Sequence, residues 1–211
     1  NAGLASLNPE TGELLTMVGS VDWANEEFGK YNIAFALRQP GSTFKPIVYS
    51  LAFENGKNPE DTIVDEPINI AGYKPKNNDG TFRGTVTLRK ALGNSLNIPA
   101  VKLLQEVGVK KALEFARAMG INSLDPSRDY GLSLVLGGGE VTLFEITRAY
   151  GVLAAEGETV QTLLQKISVQ IIYPIINFLL VVATLVFLWG VIQYSLATDS
   201  PDKAKKARSQ I

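Results

Sequence analysis

The sequence predicts a small sheet with several helices, of the α+β class with α/β as the alternative, followed by one transmembrane helix. Three observations indicate this: turn-separated apolar runs at the front, apolar helical stripes that end at glycines, and a long uncharged run near the end. We expect a domain over residues 1–158. Residues 159–211 would then hold the transmembrane helix, at about 168–196, and a basic C-terminal tail.

The front of the chain predicts a β-hairpin. Leu4–Leu7 and Leu14–Val18 are short apolar runs, and residues 8–12 between them are rich in turn formers. Residues 43–53 carry an apolar helical stripe that Asn55-Gly56 would end. Because the chain begins at Asn1 and shows no signal-peptide pattern, we expect a fragment or a processed piece.

The middle of the chain predicts a loop and then helices. Residues 73–85 are rich in Asn, Asp, Gly and Pro, which favours a loop with short strands. Helices are predicted over 88–92, 99–107 and 110–119, each followed by a glycine. Thr142 and Glu145 form a capping-box pattern, and the helix they open would run to Glu156 and end at Gly157.

The uncharged run is long enough to cross a bilayer. Residues 167–198 hold no charged side chain. The apolar core of this run, 171–192, has about 22 residues, which at about 1.5 Å each span roughly 33 Å against a hydrocarbon core of about 30 Å. The alternative is a buried helix of a soluble core, but core helices of this length normally keep a polar face.

Basic residues lie mostly on one side of this run. Four Lys or Arg follow it shortly, whereas only Lys166 lies just before it. The positive-inside rule therefore predicts a cytoplasmic C-terminus and an extracytoplasmic location for residues 1–166, with the lipid bilayer as a partner.

Composition excludes several kinds of chemistry. The 211 residues include no Cys and no His, which excludes disulfides, thiolate nucleophiles, Cys- or His-ligated metals and a Ser-His-Asp triad. A formal net charge of −1 gives no general attraction to nucleic acid. We therefore expect no metal, no cofactor and no nucleic-acid partner.

A serine activated by a lysine remains as candidate chemistry. Ser42 and Lys45 would share one helix face at i and i+3, and a desolvated lysine acts as a base. The S-x-x-K pattern recurs at Ser200, however, and the S-x-N pattern of Ser95 recurs at Ser6. Ser42 could equally be a helix N-cap beside a surface lysine.

The surroundings of these residues resemble a known family. Residues 38–46, RQPGSTFKP, resemble the nucleophile motif of class A penicillin-binding proteins, and 93–102, GNSLNIPAVK, resemble the second motif of that family. Residues 136–142, LGGGEVT, and the opening hairpin, NPETGE with Val18-Gly19, are also similar to it. The resemblance covers roughly residues 1–157, and it implies a partial penicillin-binding or serine β-lactamase-like transpeptidase fold in the first domain.

The resemblance implies a role for each matched residue. Ser42 would be the acylated nucleophile, Lys45 would take its proton, and Ser95 would relay a proton to the leaving group. Asn97 would bind the peptide carbonyl of the substrate or the Lys45 side chain. The implied reaction is D-Ala-D-Ala transpeptidation of peptidoglycan stem peptides at the bacterial inner membrane, with β-lactams as mimics that acylate Ser42.

The sequence departs from the family pattern after this point. No Lys is followed by Thr-Gly or Ser-Gly, so we expect the domain to stop before the third motif of the family, with partial or impaired activity. In the family, the strand that carries this motif contributes the second oxyanion donor. Loss of one such donor typically raises the activation barrier by about 2.7–4 kcal/mol. From Leu164 to the tail the chain resembles pilin-like subunits of type IV secretion systems. The alternatives are thus a non-catalytic, membrane-tethered peptidoglycan-binding protein, or a membrane or secretion subunit fused to a transpeptidase fragment.

Overall fold

The structure is a computed structural model that describes residues 2–156 and 173–196. The chain divides into two compact units, residues 1–159 and 160–211. The predicted tail and the segment at 157–172, including Gly157, lie outside the described residues.

Two antiparallel strand pairs lie in the first unit. Strands β1 (Leu4–Leu7) and β2 (Leu14–Val18) form the predicted hairpin, and the Asn8 side chain closes its turn by accepting the N–H groups of Glu10 and Thr11. Strands β3 (Thr62–Asp65) and β4 (Gly84–Thr87) form a second pair. The expectation of one small sheet is therefore wrong for the described residues. The two pairs stay separate because they pack on different helices.

Five helices follow the strands and turns of this unit. They are α1 (Lys45–Glu54), α2 (Leu88–Gly93), α3 (Asn97–Val107), α4 (Val109–Ala118) and α5 (Leu143–Ala154). Every helix predicted before residue 157 is present, with bounds that differ by up to two residues. The Thr142–Glu145 capping box is confirmed, because each side chain bonds the backbone N–H of the other residue.

Helices α1 and α3 pack against each other at the centre of the core. The apolar stripe of α1 is buried, and so is the facing stripe of α3; the members are Ile47, Val48, Leu51, Val101 and Leu104. Helix α4 adds Ala112 and Ala116 to the same core. This packing fixes the N-terminal ends of α1 and α3, where Lys45 and Asn97 are the first residues of their helices.

The second unit contains helix α6 (Tyr173–Leu196), which has 24 residues. Its side chains are described at 176, 178–189 and 191–192, and they are exposed. Within the part of the chain described here, no helix combines the length and apolar character needed to cross a membrane.

Candidate active site

Ser42 lies in a tight turn that leads into α1. Residues Gly41–Phe44 form a short 3-10 helix, and Ser42 is exposed on it. Gly41 has φ of +59°, a conformation that favours glycine, and the Thr43 hydroxyl donates to the Pro40 carbonyl at 2.6 Å. The local sequence thus presents the Ser42 side chain to solvent on a constrained backbone.

A glycine from a distant loop packs directly against this turn. Gly137 follows the 3-10 helix Leu132–Leu136, and a Cβ atom on it would collide with the Gly41 backbone, only 2.5 Å from its Cα. On the other side, the Tyr150 hydroxyl of α5 donates to the Thr43 carbonyl at 2.9 Å. Two parts of the chain about a hundred residues downstream therefore hold the Ser42 turn.

Lys45 is a buried cation with three oxygen partners. Its side chain is only 1% exposed, and Nζ donates to the Ser95 carbonyl at 2.5 Å, to Ser95 Oγ at 3.0 Å and to Asn97 Oδ1 at 2.7 Å. These bonds satisfy all three hydrogens of an ammonium group. Burial lowers the pKa of Lys45 to about 8, because desolvation penalises the charged form. A surface lysine, one of the alternatives from the sequence, is excluded.

Ser95 holds an uncommon backbone conformation in the connection between α2 and α3. Its φ is +53°, which few residues with a side chain adopt, and its N–H donates to the Leu92 carbonyl at 2.9 Å. Such a conformation costs of order 1–3 kcal/mol and is frequent at functional sites. Here it directs both the carbonyl and the hydroxyl of Ser95 to one lysine.

Asn97 is fixed by partners on both ends of its amide. Its Oδ1 accepts from Lys45, while Nδ2 donates to the Lys76 carbonyl at 2.7 Å and lies 3.4 Å from Asn78 Oδ1. The side chain is 8% exposed. The loop that precedes β4 therefore supports the site from behind.

The structure brings three of the four predicted site residues into one cluster. Lys45, Ser95 and Asn97 are joined by hydrogen bonds, and Ser42 lies one turn before Lys45. In the described ranges no hydrogen bond joins Lys45 Nζ to Ser42 Oγ. The competing pattern at Ser6 lies in strand β1, and the one at Ser200 lies outside the described residues. No acidic cluster that could hold a metal ion occurs in the part of the chain that is described.

Two polar residues behind the cluster were not predicted as site residues. Asp65 and Asn77 are 0% and 5% exposed, and Asn77 Oδ1 accepts the backbone N–H of Asn97 at 2.7 Å. Asn77 lies within residues 73–85, for which the sequence predicts a loop with short strands. Its only sequence signal was the Asn-rich composition of that loop.

Comparison with known proteins places these motifs in a family. The family model described as penicillin binding protein transpeptidase domain matches residues 3–173. The chain is 38% identical over 167 residues to penicillin-binding protein 1A of Rickettsia bellii and 37% identical over 166 residues to that of Neisseria meningitidis. These alignments cover 76% and 75% of this chain and 20% of each relative, so the chain spans about a fifth of their length.

Solved structures give the same result. The fold is similar to that of penicillin-binding protein 1A from Haemophilus influenzae, with a TM-score of 0.64 and 32% identity over 71% of this chain and 23% of that one. It is also similar to PonA1 from Mycobacterium tuberculosis in complex with penicillin V, with a TM-score of 0.64 and 26% identity. That match covers 72% of this chain and 43% of PonA1.

Proposed function

The chain belongs to the penicillin-binding protein transpeptidase family, and we propose that it contains a serine D-Ala-D-Ala transpeptidase site of peptidoglycan cross-linking, with Ser42 as the nucleophile. One observation carries the proposal: the buried Lys45 ammonium is held by Ser95 and Asn97, one helical turn from an exposed serine. With no His in the chain, this lysine is the base that the surroundings of Ser42 offer.

Acylation would use the neutral form of Lys45. Ser42 Oγ attacks the carbonyl carbon of the D-Ala-D-Ala bond, and its proton passes to Lys45 Nζ. Ser95 Oγ, bonded to the same Nζ, then donates a proton to the departing D-Ala nitrogen and recovers one from Lys45. The C–N bond breaks, an ester to Ser42 forms, and D-Ala leaves as the amine.

Transfer would reverse these proton movements. An amine of a second stem peptide attacks the ester carbonyl and loses its proton to Lys45 through Ser95. The new amide C–N bond forms, the ester C–O bond breaks, and Lys45 returns the proton to Ser42 Oγ. A β-lactam would follow the first half only, since its amide bond opens onto Ser42 without releasing a separate leaving group. The geometry supports the Lys45-binding role for Asn97, because its Oδ1 accepts from Nζ.

We expect acylation by the 211-residue chain to be slow. The sequence has no Lys-Thr-Gly or Lys-Ser-Gly, and a missing oxyanion donor typically lowers the rate by about 10²–10³. The alternative is a protein that binds peptidoglycan without being acylated. The experiment below distinguishes slow acylation from none.

A labelled penicillin tests the proposal. We expect a covalent adduct on the full chain that disappears in Ser42→Ala. Ser200→Ala is the matched control, since Ser200 is the other serine followed by Lys at the third position, and it should keep the adduct. Absence of any adduct on the unmodified chain would rule out a working nucleophile, and an adduct on Ser42→Ala would refute the site.

A second proposal concerns location. We propose that residues 168–196 anchor the chain in the bacterial inner membrane, with residues 1–166 outside and the tail in the cytoplasm. Its support comes from the sequence alone, as the absence of charge over 167–198 and the basic tail, because no helix in the described ranges meets the length and apolar character of a membrane span. Protease added outside spheroplasts should remove residues 1–166. Their protection in intact spheroplasts, with digestion after lysis, would contradict this orientation.

A further inference from the structure

A carboxylate is buried behind the candidate active site. Asp65, at the end of β3, is 0% exposed, and its oxygens accept from Asn77 Nδ2, at 2.9 Å each, and from the Arg83 backbone N–H at 2.9 Å. No ion pair joins it to a Lys or Arg among the described residues. The nearby Tyr49 hydroxyl is affected by this charge, because burial first and the Asp65 carboxylate second raise the pKa of Tyr49.

The Asp65 carboxylate dictates which way the Asn77 amide faces. Both oxygens of this carboxylate accept hydrogen bonds from Asn77 Nδ2, so the NH₂ group of Asn77 faces it. The same NH₂ group donates to the Thr81 carbonyl at 2.9 Å. The carbonyl end of the Asn77 side chain therefore has to face the opposite way.

On that opposite side lies the N-terminus of α3. Asn77 Oδ1 accepts the N–H of Asn97 at 2.7 Å and lies 3.4 Å from the N–H of Ile98. These are among the N–H groups that a helix leaves unpaired at its start, and Leu96, which precedes the helix, provides no side-chain cap. Asn77 is thus the cap of α3, supplied by a residue twenty positions upstream.

The same loop orients the side chain of Asn97. Its NH₂ group donates to the carbonyl of Lys76 and lies near Asn78 Oδ1, which are the neighbours of Asn77 on either side. Since a backbone carbonyl only accepts, Asn97 Oδ1 is left to face Lys45 Nζ. A continuous buried chain of hydrogen bonds therefore runs from Asp65 through Asn77 and Asn97 to the lysine.

We propose that Asp65 is a positioning residue. Through Asn77 it fixes the start of α3 and the Asn97 amide, and these in turn fix the position of the Lys45 amine. The expected effect of Asp65 on acylation rests on the proposed function above. The placement of Asn97 does not depend on that function and is measurable even if Ser42 does not react.

The test variant is Asp65→Asn, with Glu66→Gln as the matched control. Both changes replace a carboxylate by an amide, but Glu66 is exposed, and its ion pair in the described ranges is with Lys102, at 3.3 Å. In Asp65→Asn a single oxygen must serve two donors, and one N–H group of the new amide faces Asn77. We expect the Asn97 N–H to exchange with solvent at least about tenfold faster, while N–H groups within α4 keep their rates.

Penicillin acylation provides the catalytic readout. We expect the rate constant at saturating penicillin to fall at least about tenfold in Asp65→Asn, with the half-saturating concentration within about twofold, since small displacements of a base cost rate rather than binding. Glu66→Gln should match the unmodified chain in both values. If Asp65→Asn does not fold, Asn77→Ser replaces it, because it leaves the carboxylate in place and removes the acceptor of the Asn97 N–H.

The outcomes separate the two proposals. Unchanged Asn97 exchange in Asp65→Asn, or rapid exchange already in the unmodified chain, would overturn the positioning role. Faster exchange with an acylation rate equal to that of Glu66→Gln would overturn its link to Lys45. A chain that forms no adduct refutes the proposed function alone, and the exchange measurement then still decides the placement of Asn97.

Discussion

The two chemical groups of the candidate site are positioned by different means. Lys45 is buried and held by three side-chain and backbone oxygens, whereas Ser42 is exposed and held only through its backbone in the described part of the chain. The Ser42 turn is shaped by the close approach of Gly137 and by the Tyr150 hydroxyl. The proposed base is thus fixed by hydrogen bonds, and the proposed nucleophile is fixed by the shape of its backbone.

This difference has a physical reason. A buried amine needs acceptors, since an unpaired polar group away from water costs about 1–3 kcal/mol or more. A nucleophilic serine must instead remain accessible, so its hydroxyl cannot be enclosed by partners. Substitutions in the two regions should therefore lower the acylation rate in different ways. Three substitutions test this, one of them with a matched control.

Lys45→Met should have the largest effect. It keeps the length of the side chain but removes the amine that we propose as the base, and general-base catalysis contributes typically about 10²–10⁴ in rate. Acylation by labelled penicillin should fall by that factor. The pH profile provides a second readout, because only the neutral amine accepts the Ser42 proton.

The sign of the pH dependence follows from the pKa of Lys45. With that pKa lowered to about 8, the neutral fraction rises about tenfold per pH unit below 8 and levels off above it. The acylation rate of the unmodified chain should follow that curve, and Lys45→Met should lose it. A rate that is flat between about pH 6 and 8 in the unmodified chain would contradict Lys45 as the base.

Gly137→Ala should have the second largest effect, on the other region. A Cβ atom there would lie 2.5 Å from the Cα of Gly41, and φ at Gly137 is +88°. The Ser42 turn must move, and a displacement of about 1 Å can cost about 10²-fold in rate. The pH midpoint of the remaining acylation should stay near 8, since the Lys45 contacts are untouched.

Gly151→Ala is the matched control for this prediction. Gly151 lies within α5, a Cβ atom added to it would meet nothing within 4 Å, and its φ is not positive. Acylation should be unaffected there, and stability should rise slightly because alanine favours a helix by up to about 1 kcal/mol. Equal rates for both glycine variants would show that backbone shape does not position Ser42.

In both regions the sequence predicted the candidate site residues but not the distant residues that hold them. Ser42, Lys45, Ser95 and Asn97 were predicted as site residues because the segments around them resemble motifs of a known family, since the S-x-x-K and S-x-N patterns alone each occur twice in the chain. The contacts of Gly137 and Asn77 depend on residues that are distant along the chain. From sequence alone, a glycine-rich segment or an Asn-rich loop predicts only a turn. Its contacts depend on how α1 packs against α3, which the local sequence does not specify.

The secondary structure also has a part that local sequence predicts and a part that distant contacts determine. The helices and the first hairpin follow from local periodicity and turn residues, and they were predicted within two residues. The existence of two strand pairs instead of one sheet could not be predicted, because strand pairing is set by contacts with α3 and α5. The positive φ of Ser95 is likewise a result of its surroundings, since nothing in its sequence favours that conformation.

The smallest effect on catalysis is expected for Glu145→Gln, which tests whether dense hydrogen bonding by itself affects rate. The Glu145 carboxylate accepts from the backbone of Thr142, Asn122 and Ser123 and from two hydroxyls. This cluster is as well satisfied as that of Lys45, but none of these hydrogen bonds reaches the candidate site. Replacing one oxygen by an NH₂ group turns a bonded acceptor into a facing donor, and loss of capping hydrogen bonds costs about 0.5–2 kcal/mol.

Urea unfolding between about pH 3 and 7 checks this prediction. Burial alone would raise the pKa of Glu145, but the hydrogen bonds from Ser123, Thr142 and Asn122 outweigh it and lower the pKa. A lowered pKa in the folded state gives stability that is complete above the ordinary Glu value of about 4.3 and is lost as pH falls through the folded pKa. Glu145→Gln should lose that pH-dependent part while acylation changes less than about twofold. A large fall in acylation at full folding would mean that the α5 cap, and not only its Tyr150 contact, positions the Ser42 turn.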